Sequence, residues 1–313
     1  MYLKNITSVK KLLLADIFTT RKEDIGTSCE LIVEGFAHKQ LRLFDISNNA
    51  LCPDGCLIIG RLFASNPQLK YLWLNHVAFS RDGTEFVSKA ISEAQLDLLS
   101  LQVNKNRMGE KGHFFGKMLA SQKNLKDLVL FQNDLRGESM LENCRGLKQM
   151  EKLEVLDISD NFFDDPSFDE FLEVLPRLSA LKVLNLSDCN VSPLMTRRLI
   201  PVLEKLAPFS QLESFSFNYN EVDEEDLQVF FETLAQFKNL RRLECKVEIE
   251  EEQFEDIRAK FEDLGDEDCV LESEDDMDAS VQSESEAQRV QREEKEFQDL
   301  MLGVVKRANG NVA

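Results

Sequence analysis

The chain has 313 residues, 43% hydrophobic and 30% charged, with a formal net charge of −20. Between Glu248 and Glu286 eighteen acids stand against Arg258 and Lys260, so about −16 of that charge lies in one C-terminal stretch. This balance excludes a chain that wraps nucleic acid through its phosphates, and it favours a partner with a basic surface. The 7 cysteines form no regular pairing pattern, which fits reduced thiols. Cys52 and Cys56 lack a second pair to complete a zinc set, so no metal or cofactor is expected. No apolar run approaches the roughly 20 residues of a membrane helix.

In chain order, the first 40 residues contain KKLLLADIFTTRKED, a strand-like run ending in Asp16-Ile17-Phe18. An eight-residue pattern then recurs. FDISNNAL occupies Phe44 to Leu51, LWLNHVAF Leu72 to Phe79, LQVNKNRM Leu101 to Met108 and LVLFQNDL Leu128 to Leu135. LDISDNFF follows at Leu156 to Phe163, LNLSDCNV at Leu184 to Val191 and FSFNYNEV at Phe215 to Val222. Its form is L-x-L-x-x-N-x-L with steps of about 28 residues, the strand-and-turn signature of a leucine-rich repeat.

Alternation sends Leu156 and Ile158 inward and Asp157 and Ser159 towards solvent. The Asn serves the turn out of the strand, because its amide both donates and accepts where backbone groups lack water. Cys189 and Val77 replace that Asn in two repeats. Between the strands, apolar spacings of three and four predict helices at Cys56–Ala64, Gly112–Ala120, Phe168–Leu175, Leu194–Leu206 and Leu227–Phe237. Pro166 and Pro193 stand where helices begin. A last strand at Leu243–Val247 and a helix carrying Phe254, Ile257, Phe261 and Leu264 form the expected cap.

The fold class is therefore α/β, a leucine-rich-repeat solenoid like the ribonuclease-inhibitor horseshoe, with parallel strands on the concave face and helices outside. It is expected to span residues 1–264. Residues 265–287, rich in Asp, Glu and Ser, read as an acidic disordered tail. Residues 288–313 read as a short helix with Val290, Phe297, Leu300, Met301 and Val304 on one side. For that segment, partner docking, an export-signal-like use of FQDLMLGVV, packing back on the solenoid and no stable helix all stay open. An uncapped first strand also suggests a truncated or diverged N-terminus.

The segment Asp16-Ile17-Phe18-Thr19-Thr20-Arg21, with SDCNVS at Ser187 to Ser192 and NYNEV at Asn218 to Val222, resembles the Ran GTPase-activating protein family. The resemblance runs from about Val9 to Glu286, with roughly one family repeat absent in front of residue 1. It implies a non-hydrolase that accelerates GTP hydrolysis by GTP-bound Ran and supports nucleocytoplasmic transport. A Ran-binding protein is a second candidate partner, and a cytoplasmic or perinuclear location is implied as well. Many activators insert an arginine finger worth about 10³–10⁵ in rate. The resemblance implies another route, in which the GTPase's own glutamine and attacking water are held in place.

Arg21 matches the family's arginine as a GTPase contact. The family's critical turn Asn falls on His76, with Asn75 beside it, and these two are the candidate catalytic positions. Asp16, Trp73, Asn104 and Phe131 complete the candidate GTPase-binding set, and Asn218 is expected to border the concave face. Two other functions fit the repeats: a non-catalytic binding scaffold, and an acidic leucine-rich chaperone for basic proteins.

Overall fold

The computed structural model describes residues 9–18, 24–247, 249, 251–265 and 269–271. Ten strands form one sheet in chain order, every neighbouring pair parallel. They are β1 (Lys11–Leu13), β2 (Leu43–Asp45), β3 (Tyr71–Trp73), β4 (Ser100–Gln102), β5 (Asp127–Val129), β6 (Val155–Asp157), β7 (Val183–Asn185), β8 (Ser214–Ser216), β9 (Arg242–Cys245) and β10 (Cys269–Leu271). The helices between them are α1 (Ile25–Phe36), α2 (Cys52–Ser65), α3 (Ser80–Glu93), α4 (Gly112–Leu119), α5 (Glu138–Leu147), α6 (Asp165–Val174), α7 (Pro193–Leu206), α8 (Glu224–Leu234) and α9 (Glu251–Ala259). Parallel neighbours need a crossover, and here each crossover is one such helix.

The register explains the core. Leu12, Phe44, Leu72, Leu101, Leu128, Leu156, Leu184, Phe215 and Leu243 stand side by side at the centres of their strands, all buried. Two residues on, Ile46, Leu74, Val103, Leu130, Ile158, Leu186 and Phe217 are buried on the same side. Helices close that side with residues such as Leu199 and Leu203 of α7, or Leu227, Phe230 and Leu234 of α8. Strands sit about 4.8 Å apart and packed helices about 8–10 Å, so the sheet takes the inner, concave side.

The repeat Asn residues tie each turn to the one before it. Asn49 accepts from the Ile17 and Phe18 amides at 2.9 and 2.6 Å and donates to the Leu14 carbonyl at 2.8 Å. Asn161 accepts from the Asn133 and Leu135 amides and donates to the Leu130 carbonyl. At the break in LNLSDCNV, the Cys189 thiol donates to the Ile158 carbonyl at 3.3 Å. A second set of ties, not anticipated from the repeats, lies where helices return to strands. Asn66 accepts from the Leu41 amide and donates to the Phe36 carbonyl, and Gln122 does the same for Leu98 and Leu96.

Two expectations change. The outward residues of β6 are not open: Asp157 is 2% and Ser159 9% exposed. Inward curvature crowds outward side chains of neighbouring strands, and Val129, Val155 and Val183 form a small apolar cluster there, with Phe131 packed against it. The sheet also runs past Leu264, because Cys269–Leu271 pairs with β9 as a tenth strand and buries Cys269 and Leu271. Arg21 and residues 272–313 lie outside the described residues.

Candidate functional site

Every strand from β1 to β8 leaves the sheet through the same turn. Its second residue is in the left-handed region each time: Asp16, Asn48, His76, Lys105, Gln132, Asp160, Asp188 and Tyr219 have φ between 50 and 59°. Such a backbone is uncommon for residues other than Gly, and Asn, Asp and His tolerate it best. These eight residues form one line along the rim where the strands end. His76 holds the third of these positions. Its amide donates to the Asn104 carbonyl at 2.8 Å, which holds the turn on the next repeat, while its side chain is exposed. Asp16 occupies the equivalent place at one end of the line, its amide on the Ser47 carbonyl at 2.9 Å.

Immediately inside the rim lie the other candidates. Trp73 stands in register between Asp45 and Gln102. Its indole Nε1 donates to Ser100 Oγ at 3.1 Å, and that hydroxyl donates to Asp127 Oδ2 at 2.7 Å. The relay crosses three strands and fixes the indole plane. Asn75 is also engaged: Nδ2 donates to Gln102 Oε1 at 3.3 Å, and Oδ1 accepts from the Asn104 amide at 3.2 Å. Asn104 is half-buried beside it. Phe131 carries the Lys105 ammonium over its ring, 5.6 Å from the centroid. Asn218 borders the far end, with its Oδ1 accepting from the Lys246 amide at 2.9 Å.

Asp16, Trp73, Asn75, His76, Asn104 and Phe131 thus fall in one band across β1 to β5, a span of about 20 Å at the usual strand spacing. Next to it, a rim cleft of about 380 Å³ is lined by Arg107, Asp134, Asp160, Phe162 and Tyr219, among others. Phe162 is 49% exposed there.

Burial pushes the carboxyls of Asp127 and Asp157 up to about 6. Ser100 and Gln102 for the first, and Ser159 and Asn185 for the second, pull the other way through hydrogen bonds. Asp127 Oδ1 is buried without a hydrogen-bond partner among the described residues. Ser100, Gln102, Lys105 and Asp127 were not among the sequence candidates. Aligning the outward strand positions of successive repeats would have found them.

The band holds an imidazole, amides, an indole and a phenyl ring. Such groups can order a partner's side chain or water by hydrogen bonding and packing. Among the described residues no group of three or more His, Cys, Asp or Glu side chains is placed to hold a metal ion, and no helix is long and apolar enough to cross a membrane.

No protein-family model matches the chain. Among solved structures, the crystal structure of a TLR13–ssRNA13 complex aligns at 15% identity with a TM-score of 0.27, over 79% of this chain and 44% of that one. A curated relative aligns over 278 residues at 24% identity, covering 82% of this chain and 68% of its own length. That distant relative, to which the chain is similar over most of its length, is Ran GTPase-activating protein 1 of Saccharomyces cerevisiae.

Proposed function

We propose that the chain is a GTPase-activating protein for a Ran-type GTPase in its GTP-bound form. The similarity to the yeast activator over 82% of the chain carries this reading. The band on β1 to β5 supplies the docking surface, with Asp16, Trp73, Asn104 and Phe131 as contacts and Arg21 as a further one. His76 and Asn75 act at the partner's nucleotide by orienting its glutamine and water. The exposure of His76 on the turn rim supports that role, because its side chain is accessible to a partner. Both ends of the Asn75 amide are bonded to the next repeat, which fixes its orientation beside His76. Nucleocytoplasmic transport, a cytoplasmic or perinuclear location and a Ran-binding protein as co-partner belong to the same proposal.

A second reading, a scaffold that binds the GTPase without stimulating it, is favoured by one observation. His76 stands where the resemblance places Asn, and an imidazole cannot donate and accept along the same two directions as an amide. Single-turnover GTP hydrolysis by Ran, with and without the chain, separates the two. Stimulation that His76→Ala and Arg21→Ala each reduce supports the activator. Binding with no stimulation leaves the scaffold.

A further inference from the structure

The sheet has two rims, and they differ in charge. The turn rim is mixed in its N-terminal half, where Lys105, Arg107 and Arg136 stand near Asp16 and Asp134, and acidic in its C-terminal half, with Asp160, Asp188 and Glu221. The opposite rim, where helices return to strands, is basic in its C-terminal half. There an apolar groove of about 100 Å³ opens between the end of α6, the end of α7 and the turns leading into β7 and β8. Leu178, Leu181, Leu203, Leu206, Leu212 and Phe209 line it, and Phe209 is 85% exposed at its mouth. Arg177, Lys205, Lys238 and Arg241 are exposed next to lining residues or in the adjoining turn, and none pairs with a described acid. The acids nearest in sequence are Glu173, Glu204, Glu213 and Glu244, the last of them paired with Arg242.

We propose that this groove is the docking site of the chain's own C-terminal segment, residues 297–304, with the acidic stretch before it lying along the basic rim. Phe297, Leu300, Met301 and Val304 recur at three and four spacings, so a helix would present them as one stripe. The groove has room for about one such side chain, with Phe209 as the surface on which the others rest. From Glu272 to Glu286 there are seven acids and no base. Strand β10 ends on the acidic half of the turn rim, so the basic rim is the complementary surface for that stretch.

Reach agrees with this path. From the end of β10 to the groove is two to three strand spacings across and one strand length down, about 20–25 Å. The 25 residues from 272 to 296 have a root-mean-square span of about 25–30 Å as a flexible chain, close to the match that maximises effective concentration. The proposal does not depend on the GTPase reading.

Hydrogen–deuterium exchange of the full chain tests it. In physiological salt, residues 297–304 are expected to exchange about tenfold or more slower than a free peptide of the same sequence. That protection disappears in Phe209→Ser, whose exposed ring is not needed for folding, and in Phe297→Ser/Leu300→Ser. Peptides covering residues 203–212 lose protection in the tail variant too. Exchange at the free-peptide rate overturns the proposal, and protection that survives Phe209→Ser overturns the groove assignment. Protection that rises with protein concentration assigns the groove to a second copy and overturns the intramolecular path.

Discussion

At the scale of single residues, the Asn ladder, His76 and Asp127 are three different uses of polar groups on one sheet. Asn133 is fully buried and bonds two carbonyls and the Asn106 amide. Asn133→Ala leaves those groups unpaired away from water and is expected to lower unfolding free energy by about 1–3 kcal/mol, read by urea denaturation. His76→Asn should be accommodated without strain, because Asn tolerates a φ of 50°. Under the activator reading it raises stimulated GTP hydrolysis, and an unchanged or lower rate removes position 76 from the mechanism.

Asp127 makes a pH prediction. Its folded pKa of about 6 lies above the ordinary value of 3.8, so between those values the folded state holds more proton than the unfolded one. Its contribution is therefore most favourable below about pH 4 and is lost as pH rises through about 6. Ionised at neutral pH, it costs on the order of 2–3 kcal/mol. Asp127→Asn should stabilise the chain by about 1–3 kcal/mol at pH 7 and change little near pH 4, as paired urea titrations would show. No such gain at pH 7 would mean that the Asp127 charge is compensated.

At the scale of elements, helix spacing along the convex side is set by small residues. A Cβ on Gly116 of α4 would lie 2.4 Å from the Glu142 backbone, and one on Gly146 of α5 would lie 2.5 Å from the Gly116 carbonyl oxygen. These two helices therefore touch backbone to backbone. Gly116→Ala must push α5 away and is expected to cost about 1–3 kcal/mol, visible as a lower thermal midpoint. The start of α6 shows a cap that the sequence announced only through Pro166. Asp164 and Ser167 exchange hydrogen bonds as a capping box. The repeat strands were legible because their apolar alternation recurs with the repeat period. Strand β10 was not, since Cys269-Val270-Leu271 is three residues among acids and alternates with nothing.

At the scale of the whole molecule, the solenoid is a ladder of nearest-neighbour contacts, so its ends matter most. Truncation after Leu264 removes β10 and uncovers β9, with a loss of about 2–4 kcal/mol for the apolar groups exposed. Truncation after Leu271 keeps that cover and should retain a cooperative transition near that of the full chain. Equal destabilisation by the two truncations would argue against β10 as the closing strand. A chain ending at Leu271 has lost the acidic stretch from Glu272 to Glu286, so its association with a basic partner should lose part of its salt dependence.

The sequence by itself determined the repeat, the parallel α/β solenoid, the Asn ladder and the turns that carry Asp16 and His76, because each is a local pattern repeated in register. Only the tertiary structure decided the rest. Asp157 and Val155 are covered by neighbouring repeats, Asp127 ends a relay begun at Trp73, and in the C-terminal half of the sheet an acidic rim stands opposite a basic one. Those features join residues roughly 27 or more positions apart, and their burial depends on how tightly curvature draws adjacent strands together. Spacing along a chain records which residues share a face, but not how deeply that face is covered.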